Sequence, residues 1–269
     1  MTASVFFLLV LESLQDAARR RIVPAILVLC FLTLVSINSC TTCNAEITTN
    51  NLQAPPVDIF GWVGVSVLGV LAVWSLILAG MLASDHLSAS LEDGSGLLIL
   101  TRPVSRKQFA LARLFGTLLI TWSAVIVMMG GASFMLSLRG DLSLWPALIA
   151  LAATLVNCVS IAGLAMFISL FLPRIVTFLC VVGFVGWTAI ANLMSASGMT
   201  LGLWSDVLDR FGPPILSSVI IPLAAWSGQA IESVSVTEIV FRLGLWLFAS
   251  LSSLLFFFAQ QELSRFEAR

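Results

Sequence analysis

Lysine occurs once in this chain, at Lys107, histidine once, at His86, and tyrosine not at all. Charged residues make up 10% of the sequence, against about a quarter in soluble domains. Each shortage excludes something. A phosphate cradle of the form G-x-x-x-x-G-K-S/T needs its lysine after a glycine, and Lys107 follows Arg106 and precedes Gln108. The chain therefore has no P-loop of its own. His86 stands beside Asp85 at the edge of an apolar run, which suits a solvated or interfacial group. An intramembrane enzyme would lack its base and its metal ligands, so no catalytic, cofactor or metal site is expected. All 14 acidic residues lie at the ends of apolar runs or between them, so the deep carboxylate of an ion-coupled carrier is missing. A net charge of −1 gives no field that would gather nucleic acid.

What remains is apolar. Hydrophobic residues make up 59% of the sequence, and mean hydropathy is +1.06. This is an integral membrane protein, and one transmembrane domain over 22–269 accounts for its length. The chain is organised around Ser84–Arg113, the one long charged stretch between apolar regions. Short loops rich in Arg and Lys stay in the cytoplasm, so residues 84–108 are expected there. Pro103 cannot continue a helix and turns Arg102 away from helical geometry. Ser105 reads as an N-cap, with Gln108 three residues later as the return partner of a capping box. Val104 and Phe109 suit the hydrophobic staple, so a helix is expected from about Arg106. Upstream, Glu92-Asp93-Gly94-Ser95-Gly96 breaks the pattern before a short apolar run, and 84–101 reads as one or two short interfacial helices. Such a loop is either a solvated linker with anchoring arginines or a docking surface for a soluble subunit.

The string Glu92-x-Gly94-Ser95, the run holding Leu97 and Leu98, and Arg102-Pro103-Val104-Ser105-Arg106 before an apolar helix resemble the type 2 ABC transporter permeases. The likeness is greatest to the permeases grouped with copper-enzyme maturation systems. Ser95 stands where the family has Thr, Gly96 where it has Leu, and Ala112-Arg113 where it has Gly-Lys; the Arg-Pro-Val-Ser-Arg core is intact. Beyond this motif the resemblance is one of architecture. It implies that the loop carries a coupling helix contacting an ATP-binding subunit, with Glu92, Asp93, Gly94, Leu97, Leu98, Arg102 and Arg106 at the contact. It also implies a second permease copy, a substrate path between the two copies, and export as the direction. The alternatives are an ATP-independent carrier or channel, and a membrane anchor for another complex.

Taken in order, residues 1–21 form an amphipathic helix. Glu12, Asp16, Arg19 and Arg20 share one face, and Leu8, Leu11 and Leu14 lie elsewhere. Such a helix lies in the interface, where the family has its elbow helix, or else extends the first span. The first span is Ile22–Ser39, started on the cytoplasmic side by Arg19, Arg20 and Arg21. The polar stretch Cys40–Asp58 is external. Cys40 and Cys43 lie there as a local disulfide, as two free thiols or as a weak metal site. Further spans are expected at Ile59–Ala83, Phe109–Leu138, with Arg113 able to snorkel, Leu142–Leu172 and Ile175–Ala196. Asn157, Ser160 and Thr188 are polar residues deep in the spans, read as helix–helix hydrogen bonding or as lining of a substrate path.

The external loop 197–238 holds the apolar run Ile215–Ala230, which at 16 residues is short for a span of about 20. Were it to cross, the C-terminus with Arg265 and Arg269 would be external. As a re-entrant segment it leaves both termini, and ten of the thirteen basic residues, cytoplasmic. Val240–Ala259 is then the sixth and last span, with Glu238 and Arg242 an i,i+4 pair at its outer end. The expectation is an all-α polytopic protein of six transmembrane helices in a bacterial inner membrane. Cysteines introduced singly at positions 95 and 265 should label only from the cytoplasmic side, and those at 50 and 206 only from outside; external labelling at 265 overturns the six-span count.

Overall fold

The computed structural model describes residues 3–19, 22–41, 48–49, 52–53, 56–92, 105–140, 142–196, 207, 210–227 and 235–260. Long apolar stretches can satisfy their backbone in lipid only as helices or closed barrels, and these are helices. Among the described residues, apart from a two-residue antiparallel ribbon, β1 (Thr48–Thr49) with β2 (Leu52–Gln53), every element is helical. They are α1 (Ala3–Arg19), α2 (Ile22–Thr41), α3 (Pro56–Glu92), α4 (Arg106–Val125), a π-helical turn (Ile126–Gly130), α5 (Gly131–Gly140), α6 (Leu144–Ser169), α7 (Arg174–Ala196), α8 (Ser217–Ser227) and α9 (Val236–Gln260).

Among the described residues, five helical stretches are long and apolar enough to cross a membrane: Gly61–Asp85, Arg106–Leu138, Leu144–Ser169, Arg174–Ser195 and Val236–Gln260. The protein is thus a multi-pass integral membrane protein. α2 is a helix of 20 residues at the expected first span. α8, at 11 residues, is about half the length a span requires.

Two elements differ from expectation. α3 does not stop at residue 83 but continues to Glu92, so 84–92 is the end of a 37-residue helix rather than a separate interfacial one. Ala83, Ser84, Asp85, His86 and Leu87 contain no Pro or Gly, and nothing in that run interrupts the i→i−4 ladder. The third expected span is present, but with the π turn set between α4 and α5.

α6 is the central helix, packed against α3, α4, α7, α8 and α9. Small residues let the backbones approach where lipid offers no hydrophobic drive. A side chain at Gly80 of α3 would meet Val181 of α7 at 2.5 Å. Gly163 of α6 faces Ser250 of α9, and Phe167 meets Phe257 further along, so α6 and α9 run parallel. Buried hydroxyls are mostly satisfied within their own helices: Thr117, Thr121, Ser133 and Thr154 each donate to the carbonyl four residues back.

α1 packs on α4. Its Phe6 contacts Phe115, and its Ser13 lies against Gly116. Positions seven apart on α1 thus meet neighbouring positions on α4. Its Phe7, Leu8 and Leu11 point outward.

Gly80→Leu should destabilise the bundle by about 1–3 kcal/mol through overpacking against Val181. Gly183→Ala, with open space beside it, should be tolerated. Thermal unfolding in detergent compares the two; equal losses would mean that the α3–α7 contact is not close-packed.

Candidate functional site

Two regions gather the polar groups, one at a membrane face and one inside the bundle. At the face, Ser105 caps α4 with extended backbone (φ −73°, ψ 141°), and its hydroxyl accepts from the Gln108 N–H at 3.3 Å. The Ser105 carbonyl accepts from the Phe109 N–H at 3.1 Å. The helix therefore starts where Pro103 and Ser105 direct it. The return half of the capping box is not formed: Gln108 Oε1 is buried without a hydrogen-bond partner. Its side chain lies against the bundle instead of folding back over the N-terminus. Arg106 is half-buried at this end. Glu92 is the last residue of α3, and Asp93, Gly94, Leu97, Leu98, Arg102 and Val104 lie outside the described residues, as does Cys43. Cys40 falls in the last turn of α2, and its side chain is likewise outside the description.

The same face carries an ion pair that sequence reasoning missed. Arg174 Nε, at the start of α7, lies 2.8 Å from Asp85 Oδ1, near the end of the apolar part of α3. Topology was the available signal, since both residues end apolar runs on one side. Arg174 is half exposed, so the pair is worth at most about 1 kcal/mol. Arg113 does not snorkel. It is 4% exposed, with its guanidinium carbon 5.5 Å from the centre of the Phe109 ring one turn earlier. An aromatic face at i−4 offers the cation a partner inside the bundle.

The interior region is built on the irregular stretch that leads into α8. Pro213 and Pro214 have no N–H, and the chain from Gly212 to Leu216 is not helical, so carbonyls from Phe211 onward take donors from other helices as well as from the segment itself. Three side chains from two helices donate to them, and a fourth, from a third helix, accepts from an N–H of the same stretch. Trp246 Nε1 donates to the Phe211 carbonyl at 2.7 Å, and Arg242 Nη2 to the Gly212 carbonyl at 2.8 Å. Asn157 Nδ2 donates to Ser218 Oγ at 3.1 Å and to the Pro214 carbonyl at 3.4 Å. Asn192 Oδ1 accepts from the Leu216 N–H at 3.2 Å. The far end of α8 is fixed by Trp226, whose Nε1 donates to the carbonyl of Ser143, the residue before α6, at 2.8 Å. Gly64 of α3 gives the Trp226 ring its space. α8 therefore lies along one half of α6, from Asn157 near its middle to Ser143 at its start.

The three polar residues expected inside the spans part company here. Asn157 makes the interhelical hydrogen bonds. Thr188 donates to the Phe184 carbonyl of its own helix at 2.7 Å and joins no neighbour. Ser160 is buried with its hydroxyl unpartnered. The Glu238–Arg242 pair forms at 3.8 Å, but the shorter contact of Arg242 is to Gly212. Asn192 and Trp246 had no local sign of their role beyond being hydrogen-bonding groups in apolar helices.

A third feature is a groove of about 430 Å³ between α2 and α3, lined by residues such as Leu32, Ser36, Ser66, Val70 and Trp74. Its walls are apolar and face outward from the bundle. The chain matches no protein-family model and no curated protein.

Asn157→Leu should cost about 1–2 kcal/mol, the upper range for a hydrogen bond between membrane helices. Thr188→Val should cost less, because its hydroxyl bonds only within its own helix. Unfolding equilibria of the two variants in the same detergent decide it; an equal or greater loss at Thr188 would contradict the anchoring role of Asn157.

Proposed function

We propose that the chain is the transmembrane permease subunit of an ATP-driven ABC transporter, an exporter that works with a second permease copy and separate ATP-binding subunits. The observation that carries this is the framing of residues 93–104. On one side α3 runs without a break to Glu92; on the other Ser105 starts α4 in register with the Arg102-Pro103-Val104-Ser105-Arg106 motif. A segment held between two long helices passes a push on its surface straight into both. Asp85–Arg174 ties the base of α3 to α7, so a third helix shares the load. These 269 residues hold no P-loop, and in this reading the push comes from a separate ATP-binding subunit.

The face with Asp85, Arg106 and Arg174 is then cytoplasmic, by the excess of Arg and Lys there. α2 supplies the sixth span. α8 is the re-entrant segment: α7 ends, and α9 begins, at the face where α6 begins, since α6 and α9 run parallel. Both termini are placed in the cytoplasm of a bacterium. α1 is the elbow helix, packed on α4 with Phe7, Leu8 and Leu11 turned toward lipid. The substrate path lies between the two permease copies.

Glu92→Arg reverses a charge on the coupling segment without touching a span, so membrane insertion should survive. Stimulation of the partner ATPase should fall, because reversing one charge in a desolvated contact costs about 2–5 kcal/mol. Ser105→Ala should cost about 1 kcal/mol of helix start and loosen the segment without removing the contact. Co-purification in mild detergent separates the two. Normal transport with Glu92→Arg removes this residue from the docking surface; a wild-type protein that carries no ATP-binding subunit favours an anchor or carrier.

A further inference from the structure

The irregular entry to α8 carries polar atoms beyond those its anchoring uses. Asn157 Nδ2 is fully engaged, yet Oδ1 of the same amide has no hydrogen-bond partner, and Asn157 is 1% exposed. Ser160, also 1% exposed, has its hydroxyl unpartnered three residues further along α6. Side chains at i and i+3 have Cβ atoms about 5–6 Å apart, a span that one bridging hydroxyl closes. Burying such groups unmatched is costly, and native interiors satisfy them.

The geometry points to a buried hydration site at Asn157 Oδ1 and Ser160 Oγ, near the middle of α6 and beside the start of α8, occupied by water. The chemistry of the surroundings selects a neutral hydroxyl donor. A cation is disfavoured: no carboxylate lies at this depth among the described residues, and the Arg242 guanidinium sits on the adjoining Gly212 carbonyl. An anion is disfavoured as well. Around the start of α8, the Leu216 N–H goes to Asn192, the Ser218 N–H to the Pro214 carbonyl and the Val219 N–H to the Leu216 carbonyl. Of the open atoms, Asn157 Oδ1 only accepts, and the Ser160 and Ser217 hydroxyls are neutral. Water donates to it and can also bond the Ser160 hydroxyl, which makes the two polar contacts a buried water needs at least. The site is independent of which subunit drives the chain. It gives α8 a wet seat against α6.

Radiolytic hydroxyl footprinting of the full-length protein in lipid nanodiscs tests this, with water as the probe. Ile215 and Leu216, both buried, should be oxidised, while Leu68 and Leu136, also buried, should not. Ser160→Ala keeps every hydrogen bond to α8 and should abolish the oxidation at Ile215 and Leu216 without raising the melting temperature. A dry site gives the opposite pair of results: no oxidation in the wild type, and a melting temperature that rises in Ser160→Ala because an unmatched polar group has been removed. Oxidation that persists unchanged in Ser160→Ala also overturns the assignment, since the labelling water would then lie elsewhere.

Discussion

The architecture depends on one requirement, that a non-helical stretch of chain within the bundle must have its carbonyls met by side chains. In lipid an unmatched backbone group costs several kcal/mol, so such a stretch survives only where protein surrounds it. Phe211, Gly212 and Pro214 each receive a donor, from Trp246, Arg242 and Asn157. Asn192 meets the Leu216 N–H from the other side. α6, α7 and α9 are thereby tied to one short segment, and their relative positions are set by it. Cutting the Arg242 tie leaves the others in place but takes the side-chain donor from the Gly212 carbonyl.

At the opposite end of the bundle the constraint is mechanical. α3 is long because nothing in its sequence ends it before Glu92. α4 begins sharply because Ser105 fixes its first turn. Between them lies the segment to which we assign the contact with an ATP-binding partner. Arg113 packs on Phe109, and Phe109 stacks on Phe258 of α9 at 6.3 Å, so the start of α4 is held against the last helix as well. A displacement there would be felt along α3, α4, α7 and α9 before it reached the interior.

What could be read from sequence was what is local. The spans were legible because apolar runs of the right length have few alternatives in lipid. Ser105 was legible because a cap is written within four residues, and Glu238–Arg242 because a helix brings i and i+4 together. Asn157 stood out as an amide within an apolar run, but its partners did not. Pro214 and Ser218 lie 57 and 61 residues away, and nothing local links them. The burial of Arg113 and the one-sided cap at Gln108 were set by packing from other helices, whereas the continuation of α3 to Glu92 follows from a run without Pro or Gly. The disulfide alternative for Cys40 and Cys43, and most of the expected docking residues, fall on segments outside the described residues.

The π turn at Ile126–Gly130 has a consequence for helical phase. The buried stripe Ala110, Leu114, Thr117, Thr121, Val125, Met129, Ala132 and Leu136 covers about 26 residues in seven turns, where α geometry needs about 25. The wider turn absorbs the surplus residue and keeps one face of the span on the core throughout. If the turn relaxed to α geometry, everything beyond it would rotate by about 100° relative to the capped half. Met129, Ala132 and Leu136 would swing off the core, and Ile126, Val127 and Phe134, which now face outward, would change their bearing too. The two halves of this span are therefore indexed separately, and a local change of winding in its middle is a rotation of its far end.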